Sequence, residues 1–165
     1  MIRSAETRDA ADLARVHVTS WQAAYKGLVN QDFLDSLDIE ARTVWWERAL
    51  GREANLVSVG EIDGTIEGFC LAGASGDEGW GEVFALYVTP GHWGTGLGRD
   101  LLAAGEGALH GAGHARALLW VLDGNARARA FYQRRGWAIG KPIRIENIGG
   151  TDLTEVRYEK SLATT

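Results

Sequence analysis

Two hydrophobic periods alternate along the chain. After a short strand-like Ile2–Ala5, the apolar positions Ala10, Leu13, Ala14 and Val16 recur at helical spacing towards Trp21. Thr7 stands where a cap of that helix belongs, Asp9 and Asp12 suit its first turn, and Gly27 breaks the pattern. Phe33, Leu34, Leu37, Val44, Trp45 and Leu50 predict a second helical region over 31–50. The period then falls to two. Residues 56–61 and 65–74 read as strands around Asp63-Gly64, a strong hairpin signal. A polar, glycine-rich connection follows over 76–81. Residues 82–89 predict a strand, and 96–110 a helix ended by Gly111 and Gly113. The nearly continuous apolar run 115–122 predicts a central strand covered on both faces. Residues 125–135 predict a helix ended by Gly136, and 138–145 and 153–162 two closing strands. The order βααβββαβαββ predicts an α/β (α+β) fold, a mixed sheet with helices on both faces. With no repeat and no internal boundary, residues 1–165 read as one domain.

Composition narrows the function classes. Hydrophobic residues make up 45% and charged residues 24%, as in an ordinary globular domain. A net charge of -5 argues against a nucleic-acid partner and fits a positively charged or small neutral substrate. The single Cys70 excludes an internal disulfide and a cysteine metal cluster, and its apolar strand disfavours a nucleophilic role. No apolar signal core opens the chain and no apolar run reaches membrane-spanning length, so a cytoplasmic protein without a membrane partner is expected. His17, His92, His110 and His114 fall at no metal-site spacing and read as surface or loop residues, so no metal is expected.

The most informative segment is Pro90-Gly-His-Trp-Gly-Thr-Gly-Leu-Gly98, between the apolar strand 83–88 and the helix carrying Leu97, Leu101 and Leu102. Alternate glycines let the backbone approach a ligand closely, and the helix start adds unpaired N–H groups and a positive dipole end. This is a site for an anion, most naturally a pyrophosphate. Gly98 is followed by Arg99-Asp100, so the Gly-Lys-Ser/Thr ending of a P-loop is missing. The glycine spacing also departs from the dinucleotide fingerprint, although Asp123 stands at the end of the next strand, where a ribose-binding acid belongs.

A second segment, Asn125-Ala-Arg-Ala-Arg-Ala-Phe131-Tyr132-Gln-Arg-Arg-Gly136-Trp137, complements the first. Together the two resemble the acyl-CoA pyrophosphate motif and the Asn-x-x-Ala-x-x-Phe-Tyr-x-x-x-Gly-Phe/Trp motif of the GCN5-related N-acetyltransferase (GNAT) superfamily. The resemblance extends over nearly the whole chain. It implies a mostly antiparallel sheet of six to seven strands, with central strands splayed into an acyl-CoA cleft. One departure is Trp93, where the family most often carries Gln or Arg.

The resemblance implies acetyl-CoA as co-substrate. Gly94, Thr95, Gly96, Gly98 and Arg99 would hold its pyrophosphate through their backbone amides, with Trp93 and Leu97 also on the cofactor side. Leu86, Tyr87 and Val88 would pair with pantetheine like an added strand. Asn125, Ala128, Phe131, Tyr132 and Arg135 would complete the cofactor side, with Asn125 also placed to cap its helix. The cluster Arg127, Arg129, Arg134 and Arg135 either attracts the 3′-phosphate or is a solvated helix face. Tyr132 is the candidate general acid, since a phenol delivers a proton to a leaving thiolate without being charged at rest. Glu82 is the candidate base, at the position where the histone-acetylating branch carries its catalytic glutamate. Direct transfer to a primary amine of a small molecule, amino acid or peptide N-terminus, through a tetrahedral intermediate, follows from these roles.

Trp21 and Tyr25, four apart, would share a helix face as core packing or as an aromatic wall for the acceptor. Of the adjacent pair Trp45 and Trp46, only one can face inward. A homodimer is compatible with the closing strands. Two other readings stay open from the residues alone: a non-catalytic acyl-CoA sensor, and a dinucleotide-binding oxidoreductase.

Overall fold

The computed structural model describes residues 1–162. In chain order the elements are β1 (Ile2–Ser4), α1 (Ala10–Ala24), α2 (Gln31–Asp35), α3 (Ile39–Leu50), β2 (Leu56–Ile62), β3 (Thr65–Ala74), β4 (Gly81–Val88), α4 (Leu97–Gly111), β5 (Arg116–Leu122), α5 (Ala126–Gln133), β6 (Ala138–Ile148) and β7 (Thr151–Ser161). They form a seven-stranded sheet of order β1-β2-β3-β4-β5-β7-β6. Every neighbouring pair is antiparallel except β4 and β5, which run parallel. This is the expected mixed, mostly antiparallel sheet with helices on both faces.

Strand alternation divides the core. Along β3, Phe69 and Leu71 pack with Leu13 and Val16 of α1 and Trp46 of α3. Cys70 and Ala72 turn to the other face, against Leu101 and Leu109 of α4. The fit there is close: a Cβ on Gly105 would lie 2.5 Å from the Cys70 sulfur. Leu13, Trp46 and Leu101 are wholly buried, and each such side chain contributes roughly 1.5–3 kcal/mol.

Three expectations are corrected. The region 31–50 is two helices, because Asp38 accepts the Glu40 N–H at 2.9 Å and starts α3 afresh. The phase of α3 therefore leaves Val44 and Trp45 exposed and Trp46 buried. Thr7 caps nothing; it lies inside a short 3-10 helix, and the Asp9 carboxylate instead takes the Glu6 N–H at 2.7 Å and the Arg3 guanidinium at 2.8 Å. The closing strands reach further than expected, meeting at Gly149-Gly150, where both residues have positive φ (62° and 86°) and form a two-residue hairpin turn. The edge strand β6 leaves Ile139, Ile143 and Ile145 exposed.

Two irregularities position the site. β4 and β5 are in register only at Gly81–Ala117 and Glu82–Leu118, and part beyond. The register of β3 with β4 slips beside Phe84, which has no partner on β3. After this bulge, Leu86 and Val88 pack towards α4, and Ala85 and Tyr87 towards α1 and α3. No helix among the described residues is long and apolar enough to cross a membrane.

Candidate active site

The chain leaves β4 at Val88, passes a short 3-10 turn at Pro90–His92, and enters α4 through Trp93–Gly98. Gly94 and Gly96 have φ of 78° and 93°, a conformation that costs a residue with a Cβ about 1–2 kcal/mol. Gly96 caps α4, and the first amide returned to the helix is that of Asp100, which donates to the Gly96 carbonyl at 3.1 Å. Among the described residues, the N–H groups of Gly94, Gly96, Leu97, Gly98 and Arg99 consequently find no acceptor in the chain. These unused donors at the positive end of a 15-residue helix suit a diphosphate.

The loop and β4 face α5 across a cleft of about 740 Å³. Leu86, Tyr87, Val88, Trp93, Gly94, Thr95, Gly96, Gly98, Arg99, Ala128, Phe131, Tyr132 and Arg135 all line it. Leu97 offers only its amide, because its side chain is buried in the core beside Gly60. Asn125 does not line the cleft; its side-chain oxygen accepts the Ala128 N–H at 3.2 Å and caps α5. Arg127 and Arg134 join the lining, whereas Arg129 turns away to Asp123 at 2.7 Å. Sequence reasoning missed Ser20, Ala24 and His92, which also line the cleft. Nothing in the local pattern of α1 distinguishes Ser20 from any other helical serine.

The open edge of β4 has a defined polarity. Thr89 donates its N–H to the Glu67 carbonyl of β3 at 2.9 Å, so alternation turns the backbone of Val88 and Leu86 towards β5 and the cleft. The Val88 carbonyl is already occupied, by the Trp93 indole N–H at 2.8 Å and the Ser20 hydroxyl at 3.2 Å. Among the described residues the Val88 N–H and both backbone groups of Leu86 have no partner across this edge. The guanidinium of Arg127 lies 3.6 Å from the centre of the Trp93 ring, joining the two walls of the cleft.

Tyr132 is buried at the inner end. Burial, with smaller contributions from Cys70 and Tyr25, raises its phenol well above the usual tyrosine value. Among the described residues nothing hydrogen-bonds its hydroxyl, so the phenol stays protonated and free to donate. The Tyr25 and Tyr87 hydroxyls are 3.1 Å apart, and Trp21 packs edge-on to Tyr25 with ring centres 4.7 Å apart. Burial raises the Tyr87 phenol as well, aided by Tyr25. Glu82 lies at the closed end of the β4–β5 pair and lines neither cleft. Burial raises its carboxyl, against opposing contributions from Ser75 and Arg144. Cys70 is buried, and desolvation pushes its thiol up to about 12.

A second cleft of about 560 Å³ lies on the other face of β4, between the sheet and α3, and Tyr87 lines both. Here His17 is a correction: it is no surface residue. Its ring sits between Tyr87 at 5.5 Å, Phe69 at 5.7 Å and Trp46 at 6.0 Å. Its Nδ1 is buried without a partner among the described residues. Burial, with the nearby charge of Arg42, pulls its imidazole down to about 3. Trp21 and the exposed Trp45 line this second cleft. Among the described residues no group of three or more His, Cys, Asp or Glu side chains converges to hold a metal.

Comparison with known proteins agrees with this geometry. The acetyltransferase (GNAT) family model matches residues 17–137. An uncharacterized N-acetyltransferase of Bacillus subtilis, YuaI, is 35% identical over 136 residues, covering 80% of this chain and 76% of its own. The crystal structure of the PaiA N-acetyltransferase from Thermoplasma acidophilum in complex with coenzyme A superposes with a TM-score of 0.74 at 22% identity, over 98% of both chains. The Salmonella typhimurium protein YncA, solved with its cofactor acetyl-CoA, superposes with a TM-score of 0.75 at 22% identity, over 100% of this chain and 95% of that one. The match of the family model over most of the chain, together with the Bacillus relative, shows that the chain belongs to the GNAT family of acetyltransferases.

Proposed function

We propose that the protein transfers the acetyl group of acetyl-CoA directly to a primary amine, with Tyr132 as general acid. The observation that carries this reading is the position of the Tyr132 phenol, protonated and unengaged, at the inner end of the cleft that begins at the unused amides. Acetyl-CoA supplies an acetyl thioester. The amides of Gly94, Gly96, Leu97, Gly98 and Arg99 hold its pyrophosphate, with Thr95 beside them. The Val88 N–H and the Leu86 backbone hold the pantetheine arm. The Val88 N–H also faces the carbonyl whose oxygen becomes negative as the amine adds.

The proton balance has two ends. The amine reaches the carbonyl as a free base and gives up a proton as the C–N bond forms. Glu82 takes that proton through a water, since its carboxylate lines neither cleft, and its raised pKa suits it to the task. Tyr132 gives its own proton to the sulfur as the C–S bond breaks, and bulk water then restores both groups.

The test is release of CoA thiol from acetyl-CoA across a panel of amines, with Tyr132→Phe and Glu82→Gln beside the parent. Turnover of an amine that falls in both variants supports the roles; binding of acetyl-CoA with no acetylated product from any amine overturns the catalytic reading. A homodimer through the β6 edge belongs to the same proposal, supported by the exposed Ile139, Ile143 and Ile145. Sedimentation of the parent against Ile143→Lys tests it.

A further inference from the structure

The second cleft has a chemistry that the overall charge conceals. The chain carries a net charge of -5, yet among the described residues no carboxylate lines this cleft and three arginines do, Arg42, Arg48 and Arg52. They recur with Trp45 at spacings of three and four along the exposed side of α3 and the turn after it. Among the described residues none of the three is in an ion pair. Arg42 is half-buried with its guanidinium 5.4 Å from the Trp45 ring centre, so its fork is partly desolvated without a counter-charge. A guanidinium in that state favours a bidentate oxyanion.

The rest of the wall is flat and apolar. His17, Trp21, Trp45, Phe84 and Tyr87 surround the space. The imidazole of His17 is neutral at physiological pH, with one ring nitrogen buried and unpartnered. It can accept or donate one hydrogen bond, and it adds no charge.

Position ties the cleft to the chemistry. It lies over the bulge of β4 at Phe84 and Ala85, and Tyr87 lines both this cleft and the cofactor cleft. In the acetyl-transfer reading, an amine held there would reach the thioester from the α3 side of β4, while acetyl-CoA would enter from the α5 side.

We propose that this cleft is the acceptor pocket and that it selects a primary amine bearing an oxyanion, carboxylate or phosphate, on a planar apolar body. The oxyanion is held by Arg42 with Arg48 or Arg52, and the planar body lies among the aromatic rings with the amino group towards Tyr87. The inference rests on the acetyl-transfer reading above, and it replaces the cationic or neutral substrate that net charge alone suggests.

The test uses the full chain and matched amines: phenylalanine, its amide, phenethylamine and the phosphonate analogue of phenylalanine, with the corresponding tryptophan and leucine series and the polyamine spermidine. CoA thiol release is measured for each. An anionic member is expected to exceed its neutral counterpart at least about tenfold in kcat/KM, with the carboxylate and phosphonate arms telling which oxyanion is preferred. Arg42→Gln is expected to raise KM for that amine about tenfold and to leave the Kd for acetyl-CoA within threefold, which a general loss of structure would not do. Equal or better turnover of the neutral amines or of spermidine, or acetyl-CoA binding with no anionic amine acetylated, overturns the pocket assignment. Failure to bind acetyl-CoA in calorimetry is a separate outcome that overturns the acetyl-transfer reading itself.

Discussion

The Trp93 indole N–H donates to the Val88 carbonyl at 2.8 Å, closing the glycine loop back onto the last residue of β4. The ring's face is given to Arg127 of the opposite wall, 3.6 Å from its centre. One side chain thus sets both the exit angle of the loop and the spacing of the cleft. This is where the chain departs from the family's usual residue, and the departure has a structural use.

Trp93→Phe keeps a ring for Arg127 and loses the indole donor. One neutral hydrogen bond is worth about 0.5–1.5 kcal/mol, so the Kd for CoA should rise about two- to twelvefold with little change in Tm. Trp93→Ala, which also frees Arg127, should weaken CoA further. Calorimetry with CoA on both variants checks the order; equal affinities in parent and Trp93→Ala would remove the clasp role.

The two kinds of loop glycine should respond differently. Gly96→Ala places a Cβ at φ 93°, costing about 1–2 kcal/mol and disturbing the amides beside it, so CoA affinity should fall about five- to thirtyfold. Gly98→Ala has no such strain, and its Cβ would meet Phe131 at an ordinary 3.5 Å. Its CoA affinity should stay within about threefold of the parent, since only van der Waals contact is added. CoA titrations of the two variants side by side decide the point.

Tyr132→Phe should lower kcat about 10²–10⁴-fold, the usual span for loss of a general acid, while CoA binding stays within threefold. The pH profile carries a separate signature. An acid works only while protonated, and burial raises this phenol above its ordinary value near 10. The kcat profile of the parent should therefore show no descending limb below about pH 10. A limb centred near pH 8 or 9 that persists in Tyr132→Phe would assign it to another group.

His17 should impose an acid limit on stability. Its imidazole is held at about 3 in the folded chain against 6.5 unfolded. The unfolded chain thus binds a proton there that the folded chain refuses, and stability is lost as pH falls from about 6.5 towards 3. The slope is at most about 1.4 kcal/mol per pH unit. His17→Phe fills the aromatic surroundings and removes the titration, so its denaturant midpoint should fall less steeply over that range. Parallel curves for parent and variant would count against the shifted imidazole.

Local pattern was enough for most of the fold and for most of the residues that line the cleft beside the glycine loop. Glycine spacing, the Asp63-Gly64 hairpin and the alternation along β3 are properties of near neighbours, and they are legible in a string. What was missed depends on distant contacts. The break at Asp38 is a competition between one side chain and the backbone, and periodicity averages over it. Ser20 and His17 acquire meaning only when α1 is laid across β4. Arg42, Arg48 and Arg52 acquire meaning only when α3 is laid over the sheet, where Trp21, Phe84 and Tyr87 line the same cleft. Asn125 is the reverse case, where a capping bond already available within α5 takes the oxygen that a ligand contact would need.

The Gly105–Cys70 contact has a practical consequence. The chain has a single thiol, sealed beneath α4 and pushed up to about 12. A chromogenic disulfide reagent added to the native enzyme should thus report only the thiol of released CoA, free of protein background. The same reagent, with acetyl-CoA left out, becomes a clock for the opening of α4 from the sheet. The blank without acetyl-CoA that accompanies each catalytic assay thereby doubles as a control for unfolding.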